Sequence, residues 1–303
     1  MKPVLCLGEP LVEFNQQSDG RWLQGCGGDT SNVAVAVARQ GTPSGMIARL
    51  GSDAFADSLF ALWQAEGVDV RHVVRDPAAP TGIYFVHHDA AGHHFSYRRA
   101  GSAASLMRPD QVPYEAIRGA ALLHASGISL AISDNAADSV FCAIAAARDA
   151  DVPVSFDPNL RLNLWPIERA RALIHAAMAQ CDLALPGLDD ARQLSGRDSP
   201  EDVAQFYLDL GAKIVALTLG AEGALVATKD GIHRVPPRPT TLVDASGAGD
   251  CFDGAFIARW LETGDPHDAL GYANCAAAIS VRDYGAVAPV PRADAVLAEL
   301  AAA

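Results

Sequence analysis

Short apolar segments alternate with helical segments along most of this chain, and that alternation constrains its fold more than any other feature. The apolar segments that we predict as strands are Val4–Leu7, 45–50, 122–125, 152–156, 183–185, Ile214–Thr218 and 224–227. Helices are predicted near 29–40, 53–67, 135–149, 166–178, 200–210, 250–262, 266–282 and 292–301. Strands separated by helices are typical of an α/β fold, a doubly wound and mainly parallel sheet flanked by helices with right-handed crossovers.

Two segments interrupt this alternation. Residues 11–24 and 81–99 show strand-like alternation without an intervening helix, and a turn is predicted near 89–92 in the second segment. We expect both to be β-hairpins inserted into a single α/β domain spanning 1–303, where they form a small β-sheet lid over the carboxyl ends of the strands. An edge extension or a contact between protomers is the alternative, and exposed lid edges favour a homo-oligomer that pairs through the lid strands.

The charge and cysteine content argue against several classes of function. The formal net charge is −13 at pH 7, which disfavours a nucleic-acid-binding surface or an anionic-membrane binder, since both need basic patches. The six cysteines form no C-x-x-C pair, so we predict reduced thiols in a cytoplasmic protein rather than a disulfide framework or a zinc site. The first apolar run is too short for a signal peptide, and no apolar run is long enough to span a membrane.

A glycine-rich turn precedes the helix predicted near 250. It reads Asp-Ala-Ser-Gly-Ala-Gly-Asp over 244–250, so that Gly247, Ala248 and Gly249 stand directly before Asp250. Backbone N–H groups at a helix start have no intrahelical partner and lie at the positive end of the helix dipole, and glycine lets an anion approach them. A carboxylate beside a phosphate repels it, so Asp250 is better explained as a base that takes a proton from an attacking hydroxyl. The alternative is an ordinary helix start with an acidic first turn.

A second glycine-rich stretch opens the helix predicted over 29–40. Gly27 and Gly28 are followed directly by Asp29 and, three residues later, by Asn32. Polar side chains at such a turn are able to bind the hydroxyl groups of a sugar. A tight turn with an ordinary N-cap explains the stretch about equally well when it is considered by itself.

The two glycine-rich stretches, in this order and at this separation, resemble the two sequence signatures of the ribokinase-like (PfkB) family of sugar kinases. An alanine at 245 replaces the family's usual threonine. The resemblance implies a kinase that uses ATP and Mg²⁺, with Asp250 as the catalytic base and the backbone amides of 247–249 as the anion hole for the transferring phosphoryl group. The four stretches most similar to family members that phosphorylate the sugar acid 2-keto-3-deoxygluconate are 27–32, 95–104, 124–130 and 156–165.

The sugar contacts implied by the resemblance lie on the lid and after a strand. Arg99 matches the arginine of the family's Tyr-x-Arg stretch, and its planar fork suits the carboxylate of a sugar acid. Arg98 is the neighbouring alternative on the opposite strand face, and a solvent-exposed position is the usual alternative for any arginine. The implied sugar-binding residues are Gly27, Gly28, Asp29, Asn32, Tyr84, Tyr97, Arg99 and Arg161. For Arg161, contact with the ATP phosphates is the alternative.

The nucleotide and metal contacts are implied less directly. The family's Lys-x-Gly-x-x-Gly stretch appears over 218–223 with threonine in place of lysine. Of the family's Asn-x-x-Glu stretch only a carboxylate remains, at Asp190, which we expect to orient Mg²⁺ through water. The implied ATP-binding residues are Thr218, Gly220, Gly223, Gly247, Gly249 and Asn274.

The sequence therefore predicts transfer of the γ-phosphoryl group of ATP to 2-keto-3-deoxygluconate, so that its partners are ATP and a small-molecule sugar acid. A fructokinase or another neutral-sugar kinase is the main alternative, and Arg99 and Arg161 favour the acid because a neutral ketose has no carboxylate to pair with them. A non-catalytic sugar or nucleotide sensor has no need of a base at position 250. A Rossmann dehydrogenase is disfavoured because the Gly-x-Gly-x-x-Gly turn is missing after the first strand.

Overall fold

Strands and helices alternate in the computed structural model, which describes residues 1–89 and 92–302. The strands are β1 (Val4–Leu7), β2 (Leu11–Gln16), β3 (Trp22–Gly27), β4 (Ser44–Gly51), β5 (Asp69–Asp76), β6 (Ile83–Asp89), β7 (Gly92–Arg98), β8 (Leu122–Ser126), β9 (Val154–Asp157), β10 (Leu183–Ala184), β11 (Ile214–Thr218), β12 (Ala224–Thr228) and β13 (Gly231–Val235). The helices are α1 (Asp29–Arg39), α2 (Ala54–Glu66), α3 (Tyr114–Arg118), α4 (Gly127–Ala131), α5 (Asp134–Arg148), α6 (Ile167–Met178), α7 (Leu188–Ser195), α8 (Pro200–Leu210), α9 (Ala248–Thr263), α10 (Pro266–Ser280) and α11 (Ala293–Ala301).

Nine of these strands form the main sheet, in the order β13-β12-β11-β10-β9-β8-β1-β4-β5. Neighbouring strands from β11 to β5 run parallel, whereas β12 and β13 are antiparallel additions at one edge. The chain begins inside the sheet and adds strands on both sides of β1, so that the carboxyl ends of β1, β8, β9 and β10 lie side by side. The predicted doubly wound, mainly parallel α/β sheet is thereby confirmed.

Alternate residues of the buried strands supply the two faces of the main sheet. In β1, Leu5 and Leu7 belong to one apolar cluster, whereas Val4 and Cys6 belong to the other. Helices α5, α6 and α8 cover the first cluster, and α1, α9 and α10 cover the second. Because α1 and α9 pack on the same face, the two glycine-rich stretches that precede them come together at the carboxyl edge of the sheet.

The remaining four strands form a separate small sheet, which we call the lid, in the order β3-β2-β6-β7. Strand β2 pairs antiparallel with β3 and parallel with β6, and β6 pairs antiparallel with β7. The predicted small β-sheet is therefore present, and its first hairpin extends to Gly27. Residues 90 and 91 of the turn predicted near 89–92 lie outside the described residues.

The sequence pattern fails to predict β5 and β13, which form the two edges of the main sheet. Strand β5 reads Asp-Val-Arg-His-Val-Val-Arg-Asp, and four of the five residues of β13 are exposed. Edge strands carry polar side chains that discourage pairing with other chains, so they lack the apolar run on which a strand prediction depends. No helix within 1–89 and 92–302 is both long and apolar enough to cross a membrane.

Candidate active site

A cavity of about 440 Å³ lies between the lid and the carboxyl edge of the main sheet. Doubly wound sheets bind their ligands at this edge. Gly27, which the sequence predicts as a sugar contact, does not line the cavity and lies beneath the hydroxyl of Tyr84. The other predicted residues that line it are Gly28, Asp29, Asn32, Tyr84, Tyr97, Arg99, Arg161, Asp190, Thr218, Gly247, Ala248, Gly249 and Asp250.

The first turn of α9 presents backbone amides to this cavity. The helix begins after Gly247, whose φ of 71° lies in the left-handed region, and no side chain of the described residues caps it. A Cβ atom at this position would stand 2.6 Å from the carbonyl oxygen of Ala286, so the turn requires glycine. At Gly249, by contrast, a Cβ atom would meet no described atom within 4 Å. The open helix end therefore has the room and the polarity to hold an anion.

Asp250 is half-buried at this helix end. Its Oδ2 atom accepts a hydrogen bond of 2.7 Å from Nδ2 of Asn32 on α1. Burial and the nearby carboxylate of Asp29 raise the pKa of Asp250 to about 7, against the opposing effects of Asn32 and Arg161. A carboxyl group with a pKa near neutrality is matched to general-base catalysis at physiological pH.

Further carboxyl groups surround Asp250. Asp29 accepts hydrogen bonds from the backbone nitrogen of Thr30 at 2.8 Å and from Nδ2 of Asn159 at 2.9 Å. Burial and neighbouring aspartates raise the pKa values of Asp157 and Asp253 well above the usual range. The floor of the cavity is thus strongly acidic, and an anionic ligand there requires positive charge beside it.

On the lid side, Arg99 is already paired. Its guanidinium forms an ion pair with Glu9, which also accepts a hydrogen bond of 2.9 Å from Oγ of Ser102. The side chain of Arg99 is only 9% exposed and that of Glu9 is fully buried. Arg99 therefore lines the cavity, but one of its two terminal amino groups already donates a hydrogen bond to the carboxylate of Glu9.

Tyr84 is likewise engaged within the lid. Its hydroxyl donates a hydrogen bond to Glu13 on β2, and its ring stacks on that of Tyr97 at a centroid distance of 5.9 Å. Burial is the main cause that raises the pKa of Glu13. Glu13 also lines the cavity, so the lid adds a carboxyl group that the sequence does not single out.

Arg161 is the more accessible of the two arginines that line the cavity. Its side chain is 44% exposed, its Nη1 atom donates to the carbonyl oxygen of Leu160, and Oδ2 of Asp190 lies 3.8 Å away. Arg98, the neighbouring alternative to Arg99, is exposed outside the cavity and donates to the backbone of Tyr97. Of the predicted arginines, Arg161 is therefore the one whose charge is most available to a ligand.

A second cavity of about 340 Å³ adjoins the first at the start of α9. The predicted nucleotide residues that line it are Thr218, Gly220, Gly223, Gly249 and Asn274. Asn274 donates to the carbonyl oxygen of Pro236 at 2.9 Å. Thr218, Ala245, Ala248 and Gly249 line both cavities, so a ligand in the second cavity reaches the anion site at the helix end.

Asp190, the predicted metal contact, is half-buried beside Arg161. Its Oδ2 atom accepts a hydrogen bond of 2.9 Å from the backbone nitrogen of Leu160, and burial raises its pKa. Among the described residues, no three His, Cys, Asp or Glu side chains converge closely enough to hold a metal ion by themselves. Contact through water, as the sequence predicts, is compatible with this arrangement because magnesium keeps several waters.

The cavity also contains polar residues for which the sequence yields no role: Glu9, Glu13, Asp157, Asn159 and Asp253. Asp157 and Asn159 lie within a stretch that carries the family resemblance, and Glu9 lies two residues after the first strand, so their positions near strand ends are a usable signal. Glu13 and Asp253 have no such signal, because a carboxylate on a strand or a helix is most often solvent-exposed.

Comparisons with known proteins agree with this geometry. The family model for pfkB family carbohydrate kinases matches residues 1–293. The chain is 35% identical over 305 residues to the 2-dehydro-3-deoxygluconokinase of Thermoproteus tenax, covering 96% of this chain and 93% of that protein. It is 33% identical over 307 residues to fructokinase-1 of Zea mays, covering 95% of this chain and 94% of that protein.

A solved structure supports the same conclusion. A protein from E. coli assigned as ribokinase II, in complex with ATP and Mg²⁺, superposes with a TM-score of 0.92 at 28% identity, and the match covers 100% of both chains. The fold, the paired glycine-rich stretches and the sequence matches all agree over nearly the full length. The chain belongs to the pfkB family of carbohydrate kinases.

Proposed function

We propose that this kinase transfers the γ-phosphoryl group of ATP to a primary hydroxyl of 2-keto-3-deoxygluconate, giving the 6-phosphate. The observation that carries the proposal is the junction of the two cavities at the first turn of α9, with Asp250 beside it. The nucleotide occupies the cavity lined by Thr218, Gly220, Gly223 and Asn274, and the sugar acid occupies the cavity beneath the lid. The transferring group then lies between them, at the open helix end.

Asp250 acts as the base in this proposal. It takes the proton of the primary hydroxyl while the hydroxyl oxygen bonds to the γ-phosphorus and the bond from that phosphorus to the bridging oxygen of ADP breaks. Its pKa of about 7 leaves a substantial ionised fraction at neutral pH. The backbone amides at 247–249 stabilise the negative charge that spreads over the phosphoryl oxygens.

Mg²⁺ fits the acidic floor of the site. The available donors are carboxylate oxygens, which this hard cation prefers, and Asp190 lines the sugar cavity. Asp190 would hold the ion through water. When bound, Mg²⁺ supplies the positive charge that offsets the phosphate oxygens beside the carboxylates.

The sugar acid is held from several sides. Arg161 supplies an accessible positive charge for the substrate carboxylate. Arg99 contributes the N–H groups of its guanidinium that do not bond to Glu9. The Oδ1 atom of Asn32 is buried and has no partner among the described residues, so it is available to a sugar hydroxyl, as is the phenol of Tyr97. The 2-dehydro-3-deoxygluconokinase of Thermoproteus tenax, at 35% identity, supports this choice of substrate.

A neutral-sugar kinase, chiefly a fructokinase, is the second candidate, and two observations favour it. The charge of Arg99 is offset by buried Glu9, and Glu13 places another carboxyl group in the sugar cavity. Both reduce the net positive charge available to an acid. The 33% identity to the fructokinase-1 of Zea mays gives this candidate nearly the same support from sequence.

Steady-state ADP release distinguishes the two candidates. We expect kcat/KM with 2-keto-3-deoxygluconate to exceed that with fructose by about tenfold to a hundredfold, since a hydrogen bond between an arginine and the substrate carboxylate contributes about 1.5–3 kcal/mol. A preference for fructose would overturn the acid assignment and leave the kinase chemistry intact. A cytoplasmic location and a homo-oligomer formed through the lid strands remain predictions, testable by fractionation and by light scattering.

A further inference from the structure

Asn32 on α1 and Asp250 on α9 are 218 residues apart in sequence, and their side chains are in direct contact. Asn32 is 4% exposed, and its Nδ2 atom donates to Oδ2 of Asp250 at 2.7 Å. The Oδ1 atom of Asp250 has no hydrogen-bond partner among the described residues. One oxygen of the carboxylate is therefore held by an amide, and the other is left for a ligand.

Close packing of the two helices makes this contact possible. Gly254 lies one turn after Asp250 on α9, and a Cβ atom there would stand 2.9 Å from the carbonyl oxygen of Val33 and would collide with the methyl group of Ala36. Any larger residue at 254 therefore forces α1 and α9 apart. Because Asn32 and Val33 are neighbours on α1, such a displacement would lengthen the contact between Asn32 and Asp250.

We propose that Asn32 is a positioning residue for Asp250, and that Gly254 sets the helix separation that lets Asn32 reach it. The amide orients the carboxylate so that Oδ1 receives the proton of the acceptor hydroxyl. This inference rests on the proposed role of Asp250 as the base. It assigns Asn32 a function toward the carboxylate, beyond contact with the sugar.

The charges that face Asp250 explain why it needs such a donor. Burial and the carboxylate of Asp29 on α1 oppose its ionisation. Asp157 at the end of β9 and Asp253 on α9 also face it, and the charge of Asp250 raises their pKa values; Tyr84 on the lid contributes no positive charge. Arg161 is the cation that favours ionisation, and it is largely exposed. A hydrogen bond from a buried neutral amide stabilises the carboxylate without adding a charge that would attract the phosphate away from the anion hole.

The test is a carboxyl titration of the unliganded full-length protein, by NMR with ¹³C-labelled aspartate. Asp250→Asn identifies the signal of Asp250. In Asn32→Ala and in Gly254→Ala, we expect its midpoint to rise by about one pH unit or more. Asn135→Ala at an exposed site on α5 and Gly271→Ala at an open site on α10 are the matched controls, and neither is expected to move the midpoint.

The pH dependence of kcat/KM, which reports ionisations of the free enzyme, separates this inference from the proposed function. We expect the acidic limb to move with the titration midpoint in both variants. An unchanged midpoint in Asn32→Ala, with only a higher KM for the sugar, would overturn the inference and leave Asn32 as a sugar contact. A midpoint that moves without the acidic limb would support the contact but overturn Asp250 as the base. Asn32→Leu, which keeps the side-chain volume, repeats the test if the alanine variant is unstable.

Discussion

The floor and the roof of the sugar cavity are built in opposite ways. On the floor, the backbone nitrogen of Ala248 donates to the carbonyl oxygen of Ala245, whereas the amides of Gly247 and Gly249 and one oxygen of Asp250 have no partner among the described residues. On the roof, formed by the lid and the segment that joins it to the main sheet, Arg99 is paired with Glu9, and Tyr84 is bonded to Glu13. The floor therefore has polar groups available to a ligand, whereas most polar groups of the roof already have partners within the protein.

We infer from this difference that the floor serves phosphoryl transfer and that the roof sets substrate preference. Backbone amides and one oriented carboxylate serve phosphoryl transfer to any hydroxyl that is held in place, because they contact the reacting atoms alone. We expect the roof to contact the rest of the sugar; there the charge of Arg99 is offset by Glu9, and Glu13 is hydrogen-bonded to the neutral hydroxyl of Tyr84. Removing one member of a pair exposes a buried charge, so substitutions there change stability and substrate preference together.

The largest expected effect is on the floor. Asp250→Asn should lower kcat by about 10³-fold, because a positioned general base contributes between about 10² and 10⁴. Affinity for ATP should stay within about threefold, since the nucleotide cavity is unchanged. Steady-state ADP release and calorimetric titration with ATP measure the two quantities, and a variant with near-normal turnover would remove Asp250 from the role of base.

On the roof, Arg99→Ala should reduce the free energy of unfolding by about 3–5 kcal/mol, because it leaves Glu9 buried without its partner. It should also raise the KM for the sugar acid far more than that for ATP. Arg161→Ala is the matched control: its ion pair is partly exposed, so we expect a loss of at most about 1 kcal/mol. Chemical denaturation of both variants checks this, and equal stability losses would contradict the distinction between paired and available arginines.

Glu13→Gln tests the selectivity of the roof more finely. Glutamine keeps an acceptor for the hydroxyl of Tyr84 and removes a carboxyl group from the sugar cavity. We expect the ratio of kcat/KM for the acid to that for fructose to rise by about threefold to tenfold, since one nearby like charge is removed. Tyr84→Phe serves as the control that breaks the same hydrogen bond without removing the charge. A ratio that is unaffected by Glu13→Gln would exclude Glu13 from substrate discrimination.

The last expected effect is a pH-dependent change in thermal stability. The pKa of Asp250 in the folded protein is about 7, above the value of about 3.9 for an unfolded aspartate. The folded state therefore keeps a proton that the unfolded chain loses, and the associated stability is present below pH 4 and lost as the pH rises through 7. Asp250→Asn avoids this loss, so its melting temperature should exceed that of the wild type at pH 8 and match it at pH 4. Scanning calorimetry at both values checks the sign.

The parts of the molecule that the sequence predicts are those encoded locally. A glycine-rich turn before a helix carries its own geometry, so the proposed anion hole and Asp250 are predictable from one short stretch. The alternation of strands and helices likewise identifies the main sheet, apart from its polar edge strands. Each of these features depends on residues that are close together in the chain.

The contacts between side chains within the site cannot be predicted from such local patterns. Glu9 and Arg99 lie 90 residues apart, and Asn32 and Asp250 lie 218 apart. No spacing rule connects them, because their contact depends on how the lid joins the sheet and how closely α1 packs on α9. For this reason the sequence predicts Arg99 as a substrate contact but does not reveal that its charge is already offset by Glu9.

The most direct test of the proposed reaction is the ³¹P NMR spectrum of the product formed from MgATP with equimolar 2-keto-3-deoxygluconate and fructose. We predict one phosphate ester, a proton-coupled triplet from a primary alcohol, that belongs to the sugar acid and is absent with Asp250→Asn. A spectrum dominated by fructose phosphate would contradict the acid assignment. Formation of inorganic phosphate alone would contradict phosphoryl transfer to either of these sugars.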